Sequence, residues 1–179
     1  MGNANTMAES FAIRPERPDD ASAVAALDDD GFGPGRFAKT AYRLREGVAP
    51  EMALCLVAER EGKLVGSVRF WPIRVGDGQA LLLGPLAVLA AERNHGIGVA
   101  LMREGIARAS ATEYAAVVLV GDESYYARAG FKRLRGVSFP GPVDRARILG
   151  LTLTAEPAGD VRRARIDHAV CADGAPLGR

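Results

Sequence analysis

The sequence predicts a single mixed α/β (α+β) domain, and three observations carry that prediction. Apolar runs of strand length alternate with segments of helical period. Two of the runs are joined by Glu61-Gly62-Lys63, a connection of hairpin length. A Gly-X-Gly turn, "AERNHGIGVALM" over residues 91–102, then links a buried run to an amphipathic stretch. The domain is expected over residues 11–156, between a flexible leader at 1–10 and a weakly ordered tail at 157–179, which is rich in Arg, Ala and Gly and shows no period.

In chain order, "FAIRPE" reads as a strand. "RPDDASAVAALDD" reads as a helix whose Pro18, Asp19 and Asp20 suit a first turn. "DDGFGPGRF" is a glycine-rich break, and "RFAKTAYRLREG" a second helix. The hairpin strands are "MALCLVAER" and "LVGSVRFWPIRV". "ALLLGPLAVLA" is almost continuously apolar, as a strand covered on both faces should be, and Gly84-Pro85 interrupts it where a ladder would bulge or part. A helix follows from the Gly-X-Gly turn to near Ser110, with Leu101, Gly105 and Ala109 on one face. Then come the strand "YAAVVLVGD", the short helix "ESYYARAG" closed by Gly130, and strands in "FKRLRGVSF" and "ARILGLTLTA".

Composition narrows the function classes. A chain of 179 residues with 48% hydrophobic and 25% charged residues has the make-up of an ordinary soluble protein. Its net charge of +1 gives no electrostatic case for nucleic acid or a membrane surface. No apolar run reaches the roughly 18 to 20 residues that span a bilayer, and "MGNANTMAES" lacks the apolar core of a signal peptide. It does match Met-Gly-x-x-x-Thr, a myristoylation pattern, without a second anchoring signal. Cys55 and Cys171 have neither metal-ligand nor disulfide-framework spacing, so a cytoplasmic, reducing location is expected. Asp28, Asp29 and Asp30 lack the alternating oxygens and distal Glu of a calcium loop, so no metal site is expected.

Glycines at a strand-to-helix junction let backbone N–H groups approach an anion, and the helix end adds unpaired donors. A dinucleotide turn needs a third glycine where Leu101 stands, and a phosphate-binding P-loop needs Gly-Lys followed by Ser or Thr. Both explanations fail at a named residue. What remains is Arg93-Asn94-His95-Gly96-Ile97-Gly98, preceded by "LGPLAV" and followed by "YARAGF". This constellation resembles the GNAT superfamily of acyl-CoA-dependent N-acyltransferases. Their Arg/Gln-x-x-Gly-x-Gly/Ala turn matches "RNHGIG", and their Tyr-x-x-x-Gly-Phe element matches Tyr126 to Phe131. The similarity in element order runs from Phe11 to Leu153.

The resemblance implies a mostly antiparallel central sheet of about six to seven strands flanked by helices. It implies that the strand carrying Leu86, Ala87 and Val88 splays from the one carrying Val117 to Val120, so that a pantetheine arm can lie between them as a substitute strand. The diphosphate of acetyl-CoA would rest on the turn of Arg93, Asn94, His95, Gly96, Ile97, Gly98 and Val99. Arg93 would pair with phosphate or solvate the loop, and His95 would offer its imidazole or only its backbone amide. Tyr126 aligns with the general acid for the CoA sulfur, and a backbone N–H near Val88 with the oxyanion donor. Tyr125, its neighbour, would point about 100° away on a helix.

No general base is visible. "LLLGPLAV" has no carboxylate, and Asp122 and Glu123 suit a helix cap better than a proton relay. The connection "GDESYY" also lacks the asparagine common in the family. The reaction implied is transfer of an acetyl group to a small-molecule amine or to a protein amine, with "GFGPGRF" and "RFWPI" as candidate acceptor walls; Phe70 and Trp71 are adjacent on a strand and face opposite sides, so at least one of them serves packing. A non-catalytic acyl-CoA sensor is the alternative. Strands near the C-terminus pair copies in several relatives, so a homodimer is among the states implied.

Overall fold

The computed structural model describes residues 11–164. A single sheet organises them, in the order β1-β2-β3-β4-β5-β8-β6. Its first four strands are β1 (Ala12–Pro15), β2 (Leu56–Arg60), β3 (Lys63–Val75) and β4 (Gly78–Val88), all antiparallel neighbours. β5 (Ala116–Val120) lies parallel to β4, and β8 (Ile148–Thr152) runs antiparallel between β5 and the short β6 (Lys132–Arg133). The turn between β2 and β3 has positive φ at both Glu61 (49°) and Gly62 (75°), the backbone that a two-residue hairpin requires.

Four helices cover the sheet: α1 (Ala21–Phe32), α2 (Thr40–Arg43), α3 (Ile97–Ala109) and α4 (Glu123–Tyr126). Both sheet faces are closed. Leu81, Val117 and Leu119 pack with Leu101 and Met102 of α3. Leu82 and Val118, one residue along, face Ile73, Phe139 and Ile148 on the opposite side. That double burial is why these strands read as unbroken apolar runs. α3 lies close against β3 because Gly105 has no side chain; a Cβ there would come within 2.5 Å of the Phe70 ring.

Three expectations need correction. α1 continues through Gly31 and Phe32 to a left-handed Gly33 (φ 64°), so the glycine-rich break starts later than expected. "RFAKTAYRLREG" is not one helix: Pro34–Ala38 is a 3-10 turn, Lys39 is extended, and only α2 is α-helical. Pro34-Gly35 starts too tight a turn, and the extended Lys39 prevents continuation. Part of the tail expected to be weakly ordered is a strand. β9 (Gly159–Arg163) pairs with Ile73–Val75 of β3 and with β7 (Val137–Ser138), burying Val161, so the domain runs past residue 156 and the sheet has nine strands. Its single buried position gives too short a pattern to reveal a period. The leader at 1–10, its Met-Gly pattern, and Cys171 lie outside the described residues. Among the described residues no helix is long and apolar enough to cross a membrane, and no group of three metal-ligating side chains occurs.

Candidate active site

β4 and β5 are neighbours only at Leu81↔Val117 and Leu82↔Val118. Beyond these pairs β4 reaches Gly84 (φ 120°) and the cis Gly84-Pro85 bond. Its pairing with β3 resumes in a shifted register, with Val68 opposite Leu86 after Phe70 opposite Leu83. β5 meanwhile stays with β8 to its end. The sheet therefore opens into a wedge between Leu86–Val88 and the segment after β5. A strand edge opened in this way presents backbone donors and acceptors that an extended ligand can pair.

The turn that follows closes the wide end of the wedge. Asn94 (φ 68°) and Gly96 (φ 81°) both take the left-handed conformation, which aims the chain into α3. Gly96 is the N-cap; its carbonyl accepts from Ala100 N at 3.0 Å, leaving the amides of Ile97, Gly98 and Val99 without partners in the helix. A methyl on Gly96 would meet nothing within 4 Å, so open space stands over the turn. A cavity of about 310 Å³ joins these parts. It is lined by Leu86, Ala87 and Val88 on β4, by Arg93, Asn94, Gly96, Ile97, Gly98 and Val99 at the turn, and by Tyr126 opposite. An unpaired helix N-terminus, a left-handed glycine and an open strand edge together fit the diphosphate and amide-bearing arm of a CoA thioester.

His95 is the one predicted residue absent from this lining. Its ring is half exposed, with Nδ1 3.7 Å from Oε2 of Glu92, a residue that itself lines the cavity. Glu92 is held in turn by Arg60 at 2.5 Å, which ties the turn to β2. Arg93 lines the cavity and reaches back toward the Val88 carbonyl at 3.4 Å.

Tyr125 and Tyr126 both reach the cavity, at different depths. Their rings meet edge to face at 5.2 Å, and Tyr126 also packs on Phe131 at 6.0 Å. Burial pushes the Tyr126 phenol up to about 12, so it carries its proton at neutral pH. The Tyr125 hydroxyl stands against Gly98, where any side chain would collide with it. Adjacent residues on a continuing helix could not share one cavity so readily, but α4 is a single turn between two glycines. Asp122 caps that turn through Ser124 N at 3.3 Å, and Glu123 bonds Arg133 at 3.0 Å. Asp122 thus makes the cap that its sequence position implied, whereas Glu123 makes an exposed ion pair instead. Phe70 is core, whereas Trp71 on the opposite face donates its indole N–H to the Gly84 carbonyl at 2.7 Å.

The structure adds residues that the motifs did not reveal. Gly31, Phe32 and Arg128 complete the cavity wall. Beside the wedge, Asp28 of α1, Tyr42 of α2 and Arg45 just after α2 are gathered with buried polar atoms. Burial pushes the Asp28 carboxyl up to about 6 and the Arg45 guanidinium down to about 10. A signal for Asp28 was present: it shares the inward face of α1 with Val24 and Leu27, where a carboxylate has no packing reason to stand.

Similarities to known proteins agree with this geometry. Residues 21–136 match the family model described as the acetyltransferase (GNAT) family. The chain is 36% identical over 122 residues to the uncharacterized N-acetyltransferase YhbS of Escherichia coli K12, covering 67% of this chain and 72% of that one. The crystal structure of Escherichia coli YhbS in complex with CoA superposes with a TM-score of 0.73 at 31% identity, covering 86% of this chain and 89% of that one. A GNAT family acetyltransferase from Brucella melitensis in complex with acetyl-CoA gives 0.66 at 30% identity, covering 87% and 97%. The wedge, the glycine turn before α3 and these relationships lead to one conclusion: the chain belongs to the GNAT family of acetyltransferases.

Proposed function

We propose that this protein transfers an acetyl group from acetyl-CoA to a primary amine directly, without an acyl-enzyme stage. The observation that carries the proposal is the wedge itself, whose open β4 edge leads at one end to the free amides of α3 and faces the Tyr126 phenol across its width. Acetyl-CoA supplies a thioester carbon that an amine can attack. The amides of Ile97, Gly98 and Val99 hold the diphosphate, with the backbone of His95 and the Arg93 guanidinium beside it. The β4 backbone from Leu86 to Val88 pairs with the pantetheine amides and holds the thioester in place.

An N–H near Val88 stabilises negative charge as it develops on the carbonyl oxygen. As the carbon–sulfur bond breaks, Tyr126 gives its proton to the departing sulfur and recovers one from solvent. The raised Tyr126 phenol suits a donor that must stay protonated until sulfur takes on charge. The hydrogen bonds that Asp122 accepts from Ser124 and Glu123 from Arg133 argue against either as the base.

Free-thiol release from acetyl-CoA, followed across a panel of amines, tests the reaction. Tyr126→Phe is expected to lower kcat about a hundredfold while acetyl-CoA affinity, read by calorimetry, stays within about twofold of wild type. Undiminished turnover in that variant would remove Tyr126 from the mechanism. Binding of acetyl-CoA with no release on any amine or peptide would favour the sensor over the transferase.

A further inference from the structure

Buried polar groups without partners are costly, and native proteins seldom keep them without use. Here Asp28 Oδ1, Tyr42 Oη, and Arg45 Nε and Nη1 are all buried without a well-formed hydrogen bond, the only hydrogen-bonding contact among them being between Tyr42 and Arg45. They are neighbours. The Arg45 guanidinium lies 4.6 Å from the Tyr42 ring centre and 5.8 Å from that of Trp71, and its field reaches Asp28.

The surrounding charges are already matched. Arg69 donates to Glu16 at 2.8 Å, and Arg36 meets Asp29 at 2.5 Å. What remains is one carboxylate and one guanidinium, each more than nine-tenths buried. The pair adjoins the place where transfer would occur. A methyl on Gly84, at the point where β4 leaves β5, would stand 3.0 Å from Arg45 Nη2. On α1, Gly31 follows Asp28 by one turn, lines the cavity and stands over Ala87 of β4.

We propose that Asp28, Tyr42 and Arg45 form the acceptor site, and that the acceptor is an amine bearing a carboxylate, an amino-acid-type zwitterion. This rests on the acetyl-transfer reading above. Its ammonium is seated on Asp28 and its carboxylate on Arg45, with the Tyr42 hydroxyl bridging. A simple amine would leave the Arg45 charge buried and alone, and a simple carboxylate would leave Asp28 so. A zwitterion satisfies both, and a site built this way rejects molecules that lack either group. Asp28 then takes a proton from the ammonium, leaving a neutral amine to attack the thioester carbon; the C–N bond forms as C–S breaks, Tyr126 protonates the sulfur, and the nitrogen sheds its second proton to solvent as the amide forms.

The test uses the full chain with acetyl-CoA. Thiol release is compared between each common L-amino acid and its decarboxylated amine, phenylalanine against phenethylamine for example, and against the N-terminal amine of short amidated peptides. Binding is read separately on the CoA-loaded protein through Trp71, the single tryptophan of the chain. At least one amino acid is expected to exceed its decarboxylated partner about tenfold or more in kcat/KM, and to change Trp71 emission. Arg45→Met is expected to erase that preference and Arg45→Lys to restore part of it. Asp28→Asn is expected to lower turnover of every acceptor. All three variants should bind acetyl-CoA as wild type does, which also reports that they fold.

Amines or amidated peptides that react as well as amino acids would overturn the proposal. So would a preference untouched by Arg45→Met, or a full panel that changes neither thiol release nor Trp71 emission and so marks the cluster as filled by water only. Failure of wild type to bind acetyl-CoA would instead overturn the transfer reading.

Discussion

Asp28 is an ionisable group in a place that penalises ionisation, and this has a consequence for stability that is separate from its proposed role. Its carboxyl is pushed from the usual range near 4 up to about 6, chiefly by burial. The neutral form therefore favours folding at pH 4, and that contribution is lost as pH rises through 6. Asp28→Asn is expected to match wild-type stability at pH 4 and to exceed it by about 2 kcal/mol at pH 8. Urea titrations at the two pH values measure this, and equal differences at both would mean that the carboxylate is well solvated. A gain in stability joined to a loss of turnover would mark Asp28 as kept for function at a cost to the fold. Gly98 offers a second case. A methyl there collides with the Tyr125 hydroxyl over the turn proposed to hold diphosphate. Gly98→Ala is expected to weaken acetyl-CoA binding about tenfold, and adding Tyr125→Phe, which removes the obstructing oxygen, to recover most of the loss. Calorimetry on the single and double variants reads the coupling.

Among the elements, β4 and α3 were the most legible, because each has a strong local cause. Double burial made β4 a continuous apolar run, and Gly84-Pro85 marked its departure from β5 before any pairing was known. The α3 stripe of Leu101, Gly105 and Ala109 followed the helical period, and the helix ends at Ala109. The region between Gly33 and Cys55 was harder to read. Its conformation comes from short 3-10 turns and from α2, which rest on tertiary contacts such as Arg45 over Trp71 of β3. β9 was missed for a related reason: its partners, β3 and β7, are distant in sequence, and only Val161 points inward. The strand is structural nonetheless. Val161→Ala is expected to cost about 1–2 kcal/mol in urea titration and to leave acetyl-CoA affinity unchanged, since β9 joins β3 at Ile73–Val75, beyond the stretch opposite the wedge.

For the molecule as a whole, the half of the site proposed for the cofactor was legible and the half proposed for the acceptor was not. The first half is largely backbone, and backbone geometry leaves marks in sequence: glycine where φ is positive at Gly96, and a proline where a ladder is interrupted at Pro85. The side chain of His95 was the ambiguous member; it is half exposed beside Glu92 and does not line the cavity. The acceptor half is made of side chains drawn together from α1 and the segment around α2, with no spacing rule to join Asp28 to Arg45. The family relationship covers the first half, and the second half is where members of one fold can differ in substrate. Calorimetric titration of the full chain with acetyl-CoA, with NAD and ATP as controls, tests the wedge most directly. Saturable binding of acetyl-CoA alone, weakened by Gly98→Ala, is expected; no binding, or equal binding of NAD or ATP, would contradict the assignment of the β4 edge and the α3 turn to an acyl-CoA.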